Sequence, residues 1–217
     1  MLTSDGSHTI MSAHFGVSYH SRFGAVQESR HIFIDAALRF KAVQKHDLSI
    51  LEMGFGTGLN ALLTLMESRQ RDLRIDFSTV EAYPIPMEQA ARLNFVEVLG
   101  EPSLESPFLQ MHQCPWGEKV LLEKDFSFSK WKCRFEDFEP GDRYDMIYFD
   151  AFAPNAQPEL WDMPVLGKMY DALLPGGVLT TYCAKGSVKR TLKALGFTVE
   201  SLEGPPGKRE MTRAHKP

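Results

Sequence analysis

The sequence predicts an α/β protein: a doubly wound, Rossmann-like and mostly parallel sheet that closes with an antiparallel hairpin. Three observations predict it. A short apolar run over 48–53 stops abruptly at glycines, and apolar residues then recur at helical spacing over 57–66, the pattern of strand, tight turn and helix. An alternating segment over 74–82 and a helical one over 86–99 repeat that order, so the sheet opens with a βαβα unit. Near the C-terminus, strands over 197–202 and 208–213 flank a Gly204-Pro205-Pro206-Gly207 turn. Strands joined by so few residues pair only antiparallel.

The remaining elements follow in order. Pro86 suits the first turn of its helix and Gly100 its end. The stretch 101–129, rich in Pro, Ser and charge, fits neither period and reads as an excursion, with Val120-Leu121-Leu122 pairing locally, before a strand over 132–136. A buried strand over 145–150, a helix over 159–174, a Pro175-Gly176-Gly177 turn, a strand over 178–183 and a helix over 187–195 lead into the hairpin. Residues 30–40 carry apolar positions compatible with strand or helix. Without repeats or a low-complexity linker, the chain reads as one domain over 48–217 with an N-terminal appendage over 1–47.

At 217 residues, 43% hydrophobic and 24% charged, the composition is that of a globular protein able to bury roughly 70% of its unfolded surface. The opening residues lack the basic start and apolar centre of a signal peptide, and no apolar run approaches the roughly 18 residues of a membrane span. A cytoplasmic location is expected. Cys114, Cys133 and Cys183, without CxxC spacing, predict no disulfide framework and no zinc ribbon. His112-x-Cys114 supplies two groups where a structural zinc needs four, so no metal is expected. The net charge of −4 does not announce a nucleic-acid binder, but its distribution is uneven. Residues 175–217 hold eight Lys and Arg against three acids, +5, which leaves −9 on the rest. A basic C-terminal fifth is able to meet a phosphate backbone locally.

The segment Glu52-Met53-Gly54-Phe55-Gly56-Thr57-Gly58 is the strongest signal. Glycines there admit positive φ and close ligand approach, and the amides opening the next helix offer donors. As a dinucleotide GxGxxG fingerprint it fails, because Leu59 stands where the third glycine belongs. Read as E-x-G-x-G-x-G between strand and helix, it resembles motif I of the S-adenosyl-L-methionine-dependent methyltransferases. Glu81 closes the second strand at the distance where an acid accepts ribose hydroxyls, and Ala82 and Tyr83 beside it would flank an adenine. Asp137 and Phe138 take the place where such enzymes put an acid near the adenine amino group, with Glu136 as the fallback among the crowded acids Glu136, Glu139 and Asp142.

Five blocks in order carry a closer resemblance. QESRHIF over 27–33, LEMGFGTGLN over 51–60, YFDAFAP over 148–154 running into NAQPELW, and GKREM over 207–211 together resemble the tRNA 5-methylaminomethyl-2-thiouridine methyltransferase family. That resemblance implies a seven-stranded sheet with a C-terminal antiparallel hairpin, S-adenosyl-L-methionine as cofactor and tRNA, at its anticodon loop, as partner. It implies methyl transfer to the amine of 5-aminomethyl-(2-thio)uridine at the wobble position. In many bacteria the module is fused to a flavin-dependent oxidase; 217 residues leave no room for one, so the stand-alone methyltransferase is expected. The segment between Asp137 and Asp145 is shorter than the helix expected there.

Methyl transfer from a sulfonium to an amine is an in-line displacement to which alignment contributes roughly 7–11 kcal/mol. An alkyl ammonium has no lone pair, so a proton must leave before attack. Asp150, at the carboxyl end of a central strand, is the candidate catalytic group; an ordinary Asp is a weak base near neutrality, which favours orientation and charge stabilisation. Phe152 and Pro154 would wall the flipped base, with Tyr19 or Phe23 stacking on it, while Trp161 reads as core. Lys208 and Arg209 would meet anticodon-loop phosphates, and Glu28 and Arg30 would order the N-terminal segment over the site. The rival readings are a methyltransferase of a small amine or another nucleic-acid base, a catalytically silent RNA-binding module on the same fold, and an NAD(P) dehydrogenase, the last disfavoured by Leu59 and the hairpin.

Overall fold

A computed structural model describes residues 1–141 and 144–217. Eight strands form one sheet: β1 (Asp47–Met53), β2 (Arg74–Val80), β3 (Lys119–Glu123), β4 (Phe126–Trp131), β5 (Tyr144–Phe149), β6 (Leu173–Thr181), β7 (Thr198–Glu203) and β8 (Glu210–His215). Their order is β3-β4-β2-β1-β5-β6-β8-β7. The five central strands are parallel. β8 runs antiparallel between β6 and β7, as the short Gly-Pro turn requires. At the other edge, Val120 and Leu121 pair antiparallel with β4, so the local pairing expected there adds an eighth strand to the seven.

The core lies on both faces of this sheet because side chains alternate along each strand. Leu48 and Ile50 of β1 point into the cluster that holds Phe77, Phe126, Phe128 and Tyr148, while Leu51 and Met53 point into the one that holds Phe149, Trp161, Leu166 and Met169. Trp161 is core, as expected. β5 is buried along its whole length, which only a central parallel strand covered on both faces allows. The Leu59–Arg71 helix is buried from Leu59 to Ser68, in the same cluster as Leu48 and Ile50 of β1. A helical run over 25–42, with π geometry from Arg30 to Arg39, packs against it. Arg39 grips Glu67 of the central helix at 2.6 and 2.9 Å, and Arg71 joins the same carboxylate. Residues 30–40 are therefore helix.

Three element boundaries differ from expectation. The strand expected at 132–136 is β4, six residues earlier, where Phe126 and Phe128 alternate inward against β2; the serines between and after them, and the buried Lys130 that continues their phase, conceal it. The helix expected over 86–99 is two short ones, Met87–Ala90 and Phe95–Leu99, parted where Asn94 turns aside to bond His8 N at 2.7 Å and the Gly6 carbonyl at 2.9 Å. The Pro175–Gly177 turn sits inside β6 as an irregularity in its pairing with β5, and the preceding helix, Met163–Ala172, stops before it. Among the described residues no helix is long and apolar enough to cross a membrane.

Candidate cofactor and substrate site

The strand order reverses direction at β1, with β2 on one side and β5 on the other, and open α/β sheets bind ligands outside the carboxyl ends of strands at such a switch point. A cavity of about 750 Å³ opens there. Its floor is the glycine loop after β1, one wall is Glu81 to Tyr83 after β2, and the other is Asp150 to Ala153 after β5. Residues 14–21 form its roof.

Two glycines make the floor possible. Gly54 has φ 106°, and a Cβ on it would lie 2.6 Å from the Asp150 carbonyl oxygen; Gly56 has φ 50°, and a Cβ there would lie 2.9 Å from the Tyr19 ring. Glu81 caps the far side of the loop: its carboxylate accepts the Gly56 N–H at 2.9 Å and the Tyr83 N–H at 2.8 Å. Burial pushes its pKa up against the Tyr83, Gly56 and Ala82 amides, and three amides on two carboxylate oxygens still leave a lone pair for a further donor.

Asp150 stands across the cavity. Its N–H bonds the Met53 carbonyl at 3.0 Å, and the Asn60 Nδ2 donates to its Oδ2 at 2.9 Å. Burial, reinforced by the nearby Glu28 charge and opposed by Asn60 and Lys208, pushes its pKa up to about 7. An ordinary Asp would be a weak base; this one is poised near neutrality. Lys208 turns inward rather than out: its Nζ bonds Glu28 at 2.6 Å and lies 3.9 Å from the centre of the Tyr182 ring, whose hydroxyl donates to the Ala151 carbonyl at 2.8 Å. Glu28 in turn accepts the Ser21 N–H at 2.9 Å, so it does tie the N-terminal segment over the site.

The roof is aromatic. Phe15 lies 4.8 Å from Phe152 and 5.7 Å from Tyr83, Tyr19 lies 5.2 Å from Phe152, and His14 stacks on Tyr83 at 4.0 Å. Burial and the Glu81 charge push the Tyr19 hydroxyl up to about 12. His20 and His112 clasp Thr57 from opposite sides, at 3.3 Å to Oγ1 and 3.2 Å to the carbonyl, and burial drives both imidazoles down to about 4, keeping them neutral.

The cavity thus gathers Gly54, Phe55, Gly56, Thr57, Glu81, Ala82, Asp150, Phe152, Tyr19 and Lys208 of the expected site residues. It does not gather the others. Glu52 is wholly buried beneath the loop, with Thr79 Oγ1 donating to it at 2.7 Å, and Gly58 lies behind it against His112 and Phe55. Because β4 ends at Trp131, the wall there is made by Arg134, Phe135 and Glu136, while Asp137 and Phe138 fall outside it; Asp142 lies outside the described residues. Pro154 is off the wall, Phe23 packs on Gly207 at the surface, and Arg209 is exposed. Asn60, Tyr182, Phe15 and His14 are lining residues that sequence reasoning missed. Only Asn60 left a signal: a lone amide in the apolar first turn after the glycine loop. Among the described residues no cluster of three His, Cys, Asp or Glu is placed to hold a metal ion.

A glycine floor at a switch point, with an acid after each neighbouring strand and an antiparallel hairpin closing the sheet, defines an S-adenosyl-L-methionine-dependent methyltransferase. Residues 125–217 match a family model described in those words. The chain aligns over 97% of its length with the tRNA 5-methylaminomethyl-2-thiouridine biosynthesis bifunctional proteins MnmC of Aromatoleum aromaticum, at 33% identity, and Leptospira borgpetersenii, at 30%. It spans about a third of those relatives, 34% of each. A solved structure of MnmC2 from Aquifex aeolicus superposes with a TM-score of 0.79 at 26% identity, over 98% of this chain and 68% of that one. An amino pentose methyltransferase from Micromonospora echinaspora shares the fold at 12% identity, with a TM-score of 0.57. The chain is therefore similar, over nearly its whole length, to about a third of the bifunctional MnmC proteins and to the MnmC2 structure.

Proposed function

We propose that this protein methylates the amine of 5-aminomethyl-(2-thio)uridine at the wobble position of tRNA, giving 5-methylaminomethyl-(2-thio)uridine. The observation that carries this reading is Asp150: a carboxylate near neutrality, held by Asn60, on the same cavity as the glycine loop and Glu81. The residues present fit S-adenosyl-L-methionine. Gly54 and Gly56 leave no room for side chains where a ligand must approach, Glu81 keeps acceptor capacity, and the volume lies within the range of small-molecule sites. When bound, the cofactor supplies an electrophilic methyl group. Gly54 to Thr57 and Glu81 to Ala82 would hold it, with Tyr83 at its end, and 48–217 would form the catalytic domain, to which residues 1–47 add the roof over 14–21 and the helical run over 25–42.

Asp150 accepts the proton that the ammonium form of the substrate must lose, then holds the amine in line for attack. Phe152 and Tyr19 form the apolar wall for the uracil ring, and Phe15 and Tyr83 exclude water from above. Arg209 and the basic face of the last fifth of the chain meet the anticodon-loop phosphates, while Lys208 sets the charge beside Asp150. A tRNA substrate agrees with a cytoplasmic location. Single-turnover methyl transfer to aminomethyl-bearing tRNA tests the reading: Asp150→Ala abolishes it, and an unchanged rate removes Asp150 from the mechanism. A chain that binds the cofactor but methylates only a free amine supports the small-amine alternative instead.

A further inference from the structure

Two buried oxygens in this site lack a hydrogen-bond partner: Glu52 Oε1 and Asn60 Oδ1. Both belong to residues that hold the centre of the fold. Glu52 is paired in register with Thr79 on β2 and Tyr148 on β5, and its side chain is fully buried. Its Oε2 is satisfied by the Thr79 hydroxyl at 2.7 Å. Asn60 begins the central helix, is itself almost wholly buried, and spends its Nδ2 on Asp150 Oδ2. The Asn60 amide also lies within hydrogen-bonding reach of the Glu52 carboxyl. Two acceptors left bare in such a place bear the full penalty of desolvation. Turning the amide over would aim the Asn60 oxygen at Asp150 and so would suit only the protonated form of that acid, not the carboxylate that Asn60 Nδ2 serves. One proton satisfies both oxygens.

We propose that Glu52 is a positioning residue: it stays a neutral carboxylic acid, donates from Oε1 to Asn60 Oδ1, and so locks the Asn60 amide with Nδ2 toward Asp150. Three residues then act in series, Glu52 O–H to Asn60 Oδ1 and Asn60 Nδ2–H to Asp150. No proton crosses the amide; the series fixes orientation only. Burial, the nearby Asp150 and Glu81 charges all favour the neutral form of Glu52, outweighing the Thr79 and Asn60 bonds. The first acid of the glycine motif thereby serves Asp150 from below. This rests on the reading of Asp150 as the group that handles the substrate amine. The charged and titratable groups that bear on Asp150 are Glu28 and Lys208 from the roof and hairpin, Tyr182 from the end of β6, and Glu52 from below.

The test uses carbon-detected carboxyl NMR on the cofactor-free full chain, so it is independent of methyl transfer. In the wild type the Glu52 carboxyl is in its acid form at neutral pH and does not titrate near 4.5, its ordinary value; a Glu52 that ionises there overturns the proposal. Asn60→Ala raises the Asp150 midpoint by about one pH unit, since the bond it removes favours the carboxylate. Glu52→Leu, which frees the Asn60 amide to turn, raises it in the same direction. Glu52→Gln keeps an N–H donor for Asn60 Oδ1 and restores the wild-type midpoint. An unmoved midpoint in folded Asn60→Ala and Glu52→Leu also overturns the proposal. If either variant fails to fold, the wild-type Glu52 resonance still decides. Should the chain prove inert toward tRNA, that failure appears in the transfer assay and leaves these titrations readable.

Discussion

Gly54 and Asp150 touch through their backbones: the space a Cβ would need on Gly54 is filled by the Asp150 carbonyl oxygen, 2.6 Å from where that atom would sit. The cofactor floor and the candidate base are thus fixed to each other by a contact that tolerates no side chain. Gly54→Ala must both strain a φ of 106° and push Asp150 away. A displacement of about 1 Å at a reacting group costs about a hundredfold in rate. We expect a loss of that order in single-turnover transfer, with a melting temperature lowered by only a few degrees; full activity would show that the contact is not rigid.

The pKa of Asp150 gives the rate a pH dependence of definite sign. The base form is needed, so the transfer rate rises with pH and levels above about 7. Asp150→Asn removes that limb along with most of the rate. Stability carries the same signature. Below the ordinary carboxyl value of 3.8 both folded and unfolded chains hold the proton; between there and about 7 the unfolded chain releases it first. The folded state therefore binds more protons across that window, and Asp150 makes stability fall as pH rises through it. Urea titrations from pH 4 to about 8 should show this contribution in the wild type and its absence in Asp150→Asn.

Glu81 holds the loop through the Gly56 and Tyr83 amides. A charged acceptor is worth roughly 1.5–3 kcal/mol per bond, so Glu81→Ala should weaken S-adenosyl-L-methionine binding by at least tenfold in calorimetry. Glu81→Gln, which keeps one acceptor oxygen, should lie between. Equal affinity in all three would remove Glu81 from the cofactor site.

Neighbouring basic residues in the last turn separate two jobs. Arg209→Glu should lower tRNA affinity and reduce the slope of log affinity against log salt by about one, with the transfer rate at saturation unchanged. Lys208→Met should leave the salt slope alone and shift the pH–rate limb upward, because it removes the cation that opposes the raised pKa of Asp150. The opposite assignment of effects would mean that Lys208 faces the nucleic acid after all.

Phe77 is fully buried between the rings of Phe126, Phe128 and Tyr148. Phe77→Ala should cost about 3–5 kcal/mol in denaturant unfolding, and a cost below 1 kcal/mol would contradict the packing described.

The parallel centre and the closing hairpin were legible because each carries a strong local pattern: an apolar run into glycines, and two strands about one short turn. β4 was not, because its inward phenylalanines are followed at the next inward position by Lys130 and are separated by a serine, inside a stretch of mixed composition, and only pairing with β2 picks out the frame. The site was legible where backbone geometry demands a residue type, as at Gly54 and Gly56, and where an acid ends a strand, as at Glu81 and Asp150. It was not legible where residues act across long separations. Lys208 is 180 positions from Glu28, and nothing local tells a lysine that turns inward from one that reaches phosphate. Glu52 shows the converse: its place in the motif was visible, but its burial depends on β2 and β5 closing over it.

The roof over Asp150 precedes the sheet in the chain, and two of its anchor points come much later. Asp5 and His20 find partners early, at Gln27 and Thr57, but His8 is held only once Asn94 is available, and Ser21 gains its full support only when Lys208 arrives to hold Glu28. The central strands can therefore form while the site is still open to water. Synthesis from the N-terminal side thus delays a sealed reaction chamber until the closing hairpin has emerged, so a product cut short before Lys208 keeps much of the sheet but lacks the latch beside Asp150.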